Sequence, residues 1–208
     1  MSPMKNLSHC RLYGILDLGY VEPSNALRMT RLMLDGGVGM IQLRAKSQDL
    51  ETIVAIARQV APLCREAGVP FLLNDHPQVV AETGADGVHV GQDDMPVADV
   101  RAMIGPDAII GLSTHSVAQA RDSQGADYIG FGPLFATPTK PDYKPVGLAD
   151  IAEVHRRVSV PIFCIGGIKL ENLIEVLAAG AKRAVVVSGI LRSSDPAAYC
   201  RACLRVLG

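Results

Sequence analysis

The sequence predicts an α/β protein of the (β/α)8, or TIM-barrel, class. Eight short and almost continuously apolar runs are spaced along the 208 residues, as expected for parallel strands that are buried on both faces. An amphipathic stretch with helical periodicity separates these runs. Glycine ends most of these stretches just before the next strand, where it can terminate a helix with little strain.

The predicted strands, in chain order, are Leu12–Leu18, Met40–Leu43, Phe71–Leu73, Gly87–Val90, Ala108–Leu112, Tyr128–Phe131, Ile162–Ile165 and Ala184–Val187. The clearest helix lies over Gln48–Ala67, and its apolar stripe, at spacings of three and four, consists of Leu50, Ile53, Val54, Ala57, Val60 and Cys64. A last helix is predicted over Ser193–Leu207. We therefore expect eight strands that alternate with eight helices.

A doubly wound open sheet would also accommodate this alternation. Such a sheet usually has a glycine-rich dinucleotide-binding turn after its first strand, and the segment Asp17–Tyr20 has no such pattern. The closed barrel is therefore favoured, although 208 residues lie near the short end of its range. No linker composition divides the chain, so we expect residues 1–208 to form one domain with its active site at the C-terminal ends of the strands.

The composition excludes several classes of function. Lys and Arg total 20 against 21 Asp and Glu, and aromatic residues make up only 4%, which disfavours nucleic-acid binding. The apolar runs are far shorter than the ~20 residues of a membrane span, and the N-terminus lacks the apolar region of a signal peptide. The five scattered cysteines suit buried thiols in a reducing compartment, so we expect a cytoplasmic protein. Cys200 and Cys203 are interpreted as small helix residues.

Charged and amide side chains follow the second, third and fourth strands. Alternation along a strand places Gln42 and Arg44 on one face, with Lys46 just beyond. Asp75 follows the third strand, and Asp93 and Asp94 follow the fourth, so their carboxylates should lie close together and repel unless a cation separates them. Mg²⁺ held by one or two carboxylates and by substrate phosphate oxygens fits such a pair. Helix capping by these aspartates is the alternative.

The later strand ends indicate phosphate binding. Ser113 follows the fifth strand and suits either a phosphate or a helix cap. The segment Thr137–Lys140 supplies two hydroxyls and a cation that suit a lid over a phosphorylated substrate. The Gly166-Gly167 pair, and Ser188 with its following glycine, lie where this fold binds phosphate. For His89, a role in the core is the commoner explanation.

In this order, the motifs resemble those of the thiamine-phosphate synthase family over nearly the whole chain. They are Gln42-Leu43-Arg44-Ala45-Lys46, Leu73-Asn74-Asp75, Gly87–Asp94, Gly111-Leu112-Ser113, Asp127–Pro133, Thr137–Lys140, Ile165–Ile168 and Val187-Ser188. The resemblance implies a barrel that couples a hydroxymethylpyrimidine diphosphate with a thiazole phosphate by a dissociative reaction. Thiamine phosphate and diphosphate are the implied products.

The resemblance also implies the roles of individual residues. Those implied to contact the pyrimidine diphosphate are Gln42, Leu43, Arg44, Ala45, Lys46 and Asn74. Asp75 and Asp94 are implied to hold one Mg²⁺ per active site, and Ser113 and Lys140 to hold the diphosphate. The implied ligands of the thiazole phosphate are Thr137, Pro138, Thr139, Gly166, Gly167, Val187 and Ser188. Arg44, Lys46, Ser113 and Lys140 are the implied catalytic residues.

Three other functions stay open at this point. A thiazole tautomerase of the same fold would use His115 as its acid and base, but that branch generally lacks the metal pair. A non-catalytic phosphate binder should have lost the cations Arg44, Lys46 and Lys140. A sugar-phosphate epimerase would need paired acid and base carboxylates across the barrel. The sequence leaves the assembly of the chain into a homo-oligomer undecided.

Overall fold

The computed structural model describes residues 7–136 and 144–208, and the predicted Thr137–Lys140 lid lies outside this part of the chain. Eight parallel strands form a closed barrel in chain order. They are β1 (Leu12–Asp17), β2 (Met40–Arg44), β3 (Phe71–Asn74), β4 (Gly87–Val90), β5 (Ile109–Thr114), β6 (Tyr128–Phe131), β7 (Ile162–Cys164) and β8 (Ala184–Val186). Because β1 pairs with β8 in parallel register, the open sheet is excluded and the predicted barrel is confirmed.

Nine α-helices in the described residues surround the barrel. They are α1 (Ala26–Asp35), α2 (Leu50–Glu66), α3 (Val80–Thr83), α4 (Val97–Ile104), α5 (Val117–Arg121), α6 (Ile151–Arg157), α7 (Leu173–Ala178), α8 (Ser188–Leu191) and α9 (Pro196–Leu207). The expected count of eight was wrong because β8 is followed by two helices. The short α8 comes first, and Asp195 then caps α9 by accepting a hydrogen bond from the Ala198 N–H group.

The apolar stripe predicted on α2 is correct in its centre. Ile53, Ala57, Val60 and Cys64 are buried, but Leu50 in the first turn is 40% exposed. Ile56 and Ala61 are buried as well, because α2 packs against α1 and α3 on its flanks in addition to the barrel. A helix with neighbours on both sides buries a wider arc than one stripe.

Side chains fill the barrel interior at its N-terminal end. Leu7, in a short 3-10 turn before β1, is buried in this interior cluster. Above it, the rings of Tyr13, Tyr128 and Phe163 pack edge to face with centroids 5.5–5.9 Å apart. These side chains close the interior at its N-terminal end. None of the helices within residues 7–136 and 144–208 has the length and apolar character needed to cross a membrane.

Candidate active site

A cavity opens at the C-terminal ends of the strands, where the sequence placed the site. The predicted residues that line it are Gln42, Arg44, Lys46, Asn74, Asp75, Asp94, Ser113, Gly166, Gly167, Val187 and Ser188. Leu43 and Ala45 do not line it. Side chains alternate along β2, so these two are buried outside the barrel interior, in the hydrophobic core between the strands and the surrounding helices. Thr137, Pro138, Thr139 and Lys140 lie outside the described residues.

Arg44 is held at the mouth by a carboxylate that the sequence analysis missed. Its Nη1 atom donates to Asp17 Oδ2 over 2.8 Å, and the Asp17 side chain is only 3% exposed. The Asp17 carboxylate also accepts a hydrogen bond from the Gly19 N–H group. The last residue of β1 therefore orients the guanidinium at the end of β2. The rule that polar residues at strand ends form the site applies to Asp17 as well and could have found it.

Two carboxylates approach each other beside the Lys46 ammonium. The Nζ atom of Lys46 lies 2.5 Å from Asp75 Oδ2, and the Asn74 amide donates to Asp75 Oδ1 over 2.7 Å. Burial raises the pKa of Asp75 above its ordinary value; Lys46 lowers this pKa, and the nearby Asp94 carboxylate raises it. The net shift is upwards, and burial is its largest cause.

This pair has the composition of a magnesium site of the open kind. Asp94 does not cap α4, whose preceding residue is Pro96; its Oδ2 atom accepts a hydrogen bond from the Gly91 N–H group over 2.6 Å. Within the described ranges, no group of three or more His, Cys, Asp or Glu side chains converges on one point. Two hard carboxylates suit Mg²⁺ when substrate phosphate oxygens and water complete its coordination. The residues therefore fit the implied metal.

Ser113 and His89 form a hydrogen-bonded pair in the cavity wall. The Ser113 Oγ atom lies 2.9 Å from His89 Nε2, and His89 Nδ1 lies 2.9 Å from the Tyr128 hydroxyl. Ser113 is not a helix cap, because Ser116 caps α5 through the Gln119 N–H group. Both ring nitrogens of His89 are thus hydrogen-bonded inside the barrel, as expected of a core histidine, and the same ring also lines the cavity. One local pattern could have predicted this place in the cavity wall, namely a histidine on a strand face shared with the mouth.

The loop after β7 brings its backbone close to the loop after β6. Gly166 has a φ of 96°, and a Cβ atom there would lie 2.4 Å from the Cα atom of Pro133. The Asn172 amide donates to the Gly167 carbonyl over 3.0 Å and fastens the loop from the other side. The backbone of Gly166 and Gly167 therefore faces the cavity without side chains in front of it. Ser188 and Val187 lie at the neighbouring end of β8, so both halves of the predicted phosphate cradle are adjacent.

His115 also lines the cavity. Its ring Nδ1 atom lies 2.5 Å from the Gly132 carbonyl. Its backbone N–H group donates to the Gln119 side-chain oxygen. A histidine that donates from Nδ1 to a backbone carbonyl is held in one ring orientation. The position is consistent with the histidine of the tautomerase alternative, which the geometry leaves as a prediction.

Comparisons with known proteins identify the family of the chain. A family model for thiamine monophosphate synthase matches residues 12–190. The thiamine-phosphate synthase of Laribacter hongkongensis (strain HLHK9) is 46% identical over 203 residues, which cover 95% of each chain. That of Shouchella clausii (strain KSM-K16) is 40% identical over 200 residues, 95% of this chain and 96% of the relative.

Solved structures give the same result. A thiamine phosphate pyrophosphorylase from Pyrococcus furiosus superposes with a TM-score of 0.86 at 30% identity, covering 99% of this chain and 96% of its own. A 3-hexulose-6-phosphate synthase is similar at a TM-score of 0.69 and 17% identity, which reflects the shared barrel alone. With the fold, the strand-end motifs and relatives of this similarity in agreement, the chain belongs to the thiamine monophosphate synthase family.

Proposed function

We propose that this chain is a thiamine-phosphate synthase. It joins 4-amino-2-methyl-5-(diphosphooxymethyl)pyrimidine to 4-methyl-5-(2-phosphoethyl)thiazole and produces thiamine phosphate and diphosphate. With the carboxylated form of the thiazole, CO2 is released as a third product. Both substrates are small phosphorylated heterocycles, and the relatives that match along almost the whole chain are named for this activity.

One observation supports the proposal most directly: the cavity has two separate regions suited to phosphate. The ends of β2 to β5 contribute Arg44, Lys46, the Asp75–Asp94 pair and Ser113, and the ends of β7 and β8 contribute a glycine backbone without a charged side chain. In a closed eight-stranded barrel these groups of strands lie on opposite walls. A diphosphate needs cations, whereas a monophosphate can be bound by backbone N–H groups.

The proposed roles follow from these positions. Gln42 and Asn74 contact the pyrimidine diphosphate, and Leu43 and Ala45 contribute through their backbone. Arg44, Lys46, Ser113 and Lys140 stabilise the leaving diphosphate and are the proposed catalytic residues. The proposed contacts of the thiazole phosphate are Gly166, Gly167, Val187 and Ser188, joined by Thr137, Pro138 and Thr139.

The proposed reaction is a dissociative substitution. The bond between the pyrimidine methylene carbon and the diphosphate oxygen breaks, and its electron pair leaves with the diphosphate. The thiazole nitrogen then donates its lone pair to the methylene cation. Mg²⁺ held by Asp75 and Asp94 would neutralise part of the diphosphate charge. The guanidinium of Arg44 is already fixed by Asp17 before the charge develops, which is the condition under which electrostatic stabilisation is most effective. The step requires no general base.

The test is product formation from the two substrates with Mg²⁺ and then with EDTA. We expect thiamine phosphate and diphosphate in equal amounts, with the rate lost in EDTA and restored by excess Mg²⁺. Isomerisation of the thiazole without coupling, at the same rate in EDTA, would overturn the proposal in favour of the tautomerase. His115→Ala then separates the two functions, because it should abolish isomerisation and leave coupling largely intact.

A further inference from the structure

Five side chains form a continuous hydrogen-bonded chain across the barrel interior. The Gln42 amide nitrogen donates to the Tyr13 hydroxyl, and the hydroxyls of Tyr13 and Tyr128 lie 3.0 Å apart. Tyr128 then contacts His89 Nδ1 over 2.9 Å, and His89 Nε2 contacts Ser113 Oγ over 2.9 Å. The chain starts on β2, crosses β1, β6 and β4, and ends on β5 at the cavity.

The two phenols can each donate only one hydrogen bond. Both rings are fully buried, and burial raises the pKa of Tyr13 and of Tyr128 above the ordinary value, so each keeps its proton. A side-chain amide nitrogen donates and cannot accept. Because Gln42 donates to Tyr13, the acceptor that this chain offers to the Tyr13 proton is the Tyr128 oxygen, and the acceptor that it offers to the Tyr128 proton is then His89 Nδ1. The reverse direction would leave the buried Tyr13 proton without an acceptor among the five side chains, which is unfavourable.

The direction of donation then determines the state of His89. A ring nitrogen that accepts a hydrogen bond carries no proton, so the imidazole is neutral and its proton is on Nε2. This proton is donated to Ser113 Oγ, which leaves the Ser113 hydroxyl proton for a different acceptor. Ser113 lines the cavity, so a group bound in the cavity can accept this proton.

We propose that the hydrogen bonds from Gln42 through Tyr13 and Tyr128 hold His89 as its Nε2–H tautomer. The Ser113 hydroxyl proton is thereby directed into the cavity. Tyr13 and Tyr128 are in this way positioning residues of the active site. That the cavity acceptor is the leaving diphosphate rests on the proposed function. The opposite direction of donation would give the Nδ1–H tautomer. Ser113 would then donate its hydroxyl proton to His89 Nε2 and present only lone pairs to the diphosphate. A donor already oriented towards developing negative charge is worth on the order of 10²–10³ in kcat where it has been removed in other enzymes.

The direct test is ¹⁵N NMR of the histidine-labelled protein without substrates, at about pH 8, where neutral imidazoles prevail. The chain has five histidines, and the resonance that disappears in His89→Asn assigns His89. We expect a protonated-type shift for Nε2 and an acceptor-type shift for Nδ1. Gln42→Glu replaces the donor with a carboxylate that can only accept, so the donation should reverse and His89 should become the Nδ1–H tautomer.

Removal of one hydroxyl tests the positioning residues. Tyr128→Phe should leave His89 as a mixture of both tautomers and lower kcat about tenfold or more, with a smaller change in KM. Tyr20→Phe is the matched control, since Tyr20 loses the same hydroxyl outside the five-residue chain and keeps its ring against Arg192; it should change neither the His89 shifts nor kcat. If Tyr128→Phe does not fold, the same measurements are made on Tyr13→Phe, which removes the preceding hydroxyl of the hydrogen-bonded chain.

An Nδ1–H tautomer in the unmodified protein would overturn the proposal, and so would unchanged His89 shifts in a folded Tyr128→Phe variant. Because the NMR experiment needs no substrate, it is independent of the assay for thiamine phosphate. The expected tautomer in a protein that fails to couple the two substrates would uphold the hydrogen-bonded chain and overturn the proposed function.

Discussion

At the scale of single residues, the buried partner of Arg44 links the site to the stability of the fold. Asp17 is almost completely buried and contacts Arg44 over 2.8 Å. Removal of one member of such a pair leaves the other charge buried and uncompensated, which typically lowers stability by about 3–5 kcal/mol. The same contact orients the guanidinium at the cavity, which the Asp17 side chain also lines.

A double-mutant cycle tests this link. We expect Arg44→Met to lower the free energy of unfolding by about 3 kcal/mol, because the Asp17 carboxylate loses its cation. Asp17→Asn added to that variant should recover much of the stability without recovering activity. Urea denaturation measures the first effect and steady-state kinetics the second. If the stability losses of the single variants Arg44→Met and Asp17→Asn simply add in the double variant, the coupling is contradicted.

For the Asp75–Asp94 pair, in contrast to Asp17 and Arg44, we expect that removal of a charged side chain raises the stability of the fold. The pKa of Asp75 is raised in the folded protein, so its ionised form is disfavoured by folding. The penalty is absent below the ordinary pKa of about 3.9, develops as the pH rises through that value to the raised pKa, and persists above it. Asp75→Asn should therefore increase the free energy of unfolding at neutral pH in EDTA, and the gain should disappear in acid.

The activity of the same variant should fall by at least about 10²-fold, because the proposed metal loses a ligand. Asp93→Asn is the control, since Asp93 is an exposed neighbour of Asp94 and should keep both activity and stability. Urea denaturation across pH and coupling assays at saturating Mg²⁺ measure the two effects. A loss of activity in Asp75→Asn that only follows the unfolded fraction would exclude the metal role.

At the scale of elements, the joints between helices and strands explain two repeated triplets in the sequence. Gly84-Ala85-Asp86 and Gly125-Ala126-Asp127 each precede a strand. Asp86 accepts a hydrogen bond from the Phe71 N–H group of β3, and Asp127 accepts one from the Ile110 N–H group of β5. Each aspartate therefore links the start of the strand that follows it to the preceding strand of the barrel, β4 to β3 and β6 to β5.

The loop after β7 gives a prediction at this scale. Gly166→Ala places a Cβ atom 2.4 Å from the Pro133 Cα atom at a φ of 96°, so two loops must separate. Gly68→Ala is the matched control, because Gly68 has a φ of 67° and nothing within 4 Å of its added Cβ. Gly166→Ala should be about 1–3 kcal/mol less stable than this control and should raise the KM of the thiazole phosphate. Equal behaviour of the two variants would contradict the packing argument.

At the scale of the whole molecule, the barrel buries all five cysteine side chains. They are free thiols, and burial raises their pKa to about 12 for Cys10, Cys64, Cys164 and Cys200 and to about 11 for Cys203. A buried, protonated thiol is a poor nucleophile. The Cys200 and Cys203 pair on α9 is thus part of the packing against the barrel, as the sequence analysis expected.

Thiol labelling therefore reports on global opening. We expect a disulfide reagent such as DTNB to leave the native protein almost unmodified at neutral pH and to modify all five thiols in denaturant. Labelling of the native protein should be slow and should accelerate with low concentrations of urea. Rapid modification of one thiol without denaturant would show that a helix opens independently of the barrel.

The sequence alone was enough to determine the eight strands, their order and the end of the barrel that carries the site. These features follow from local periodicity, because alternation and apolar runs are properties of neighbouring residues. The same periodicity placed Gln42, Arg44 and Asn74 at the mouth. It also indicated the Asp75–Asp94 pair, since the ends of adjacent parallel strands lie side by side.

Only the tertiary structure decided how these side chains are held. The Asp17 contact to Arg44 and the hydroxyl pair of Tyr13 and Tyr128 join residues that lie 27 and 115 positions apart. No local pattern contains such contacts, because they depend on the closure of the barrel and on the register between strands. The polarity of the chain that ends at Ser113 has the same origin, since each hydrogen bond in it joins two different strands.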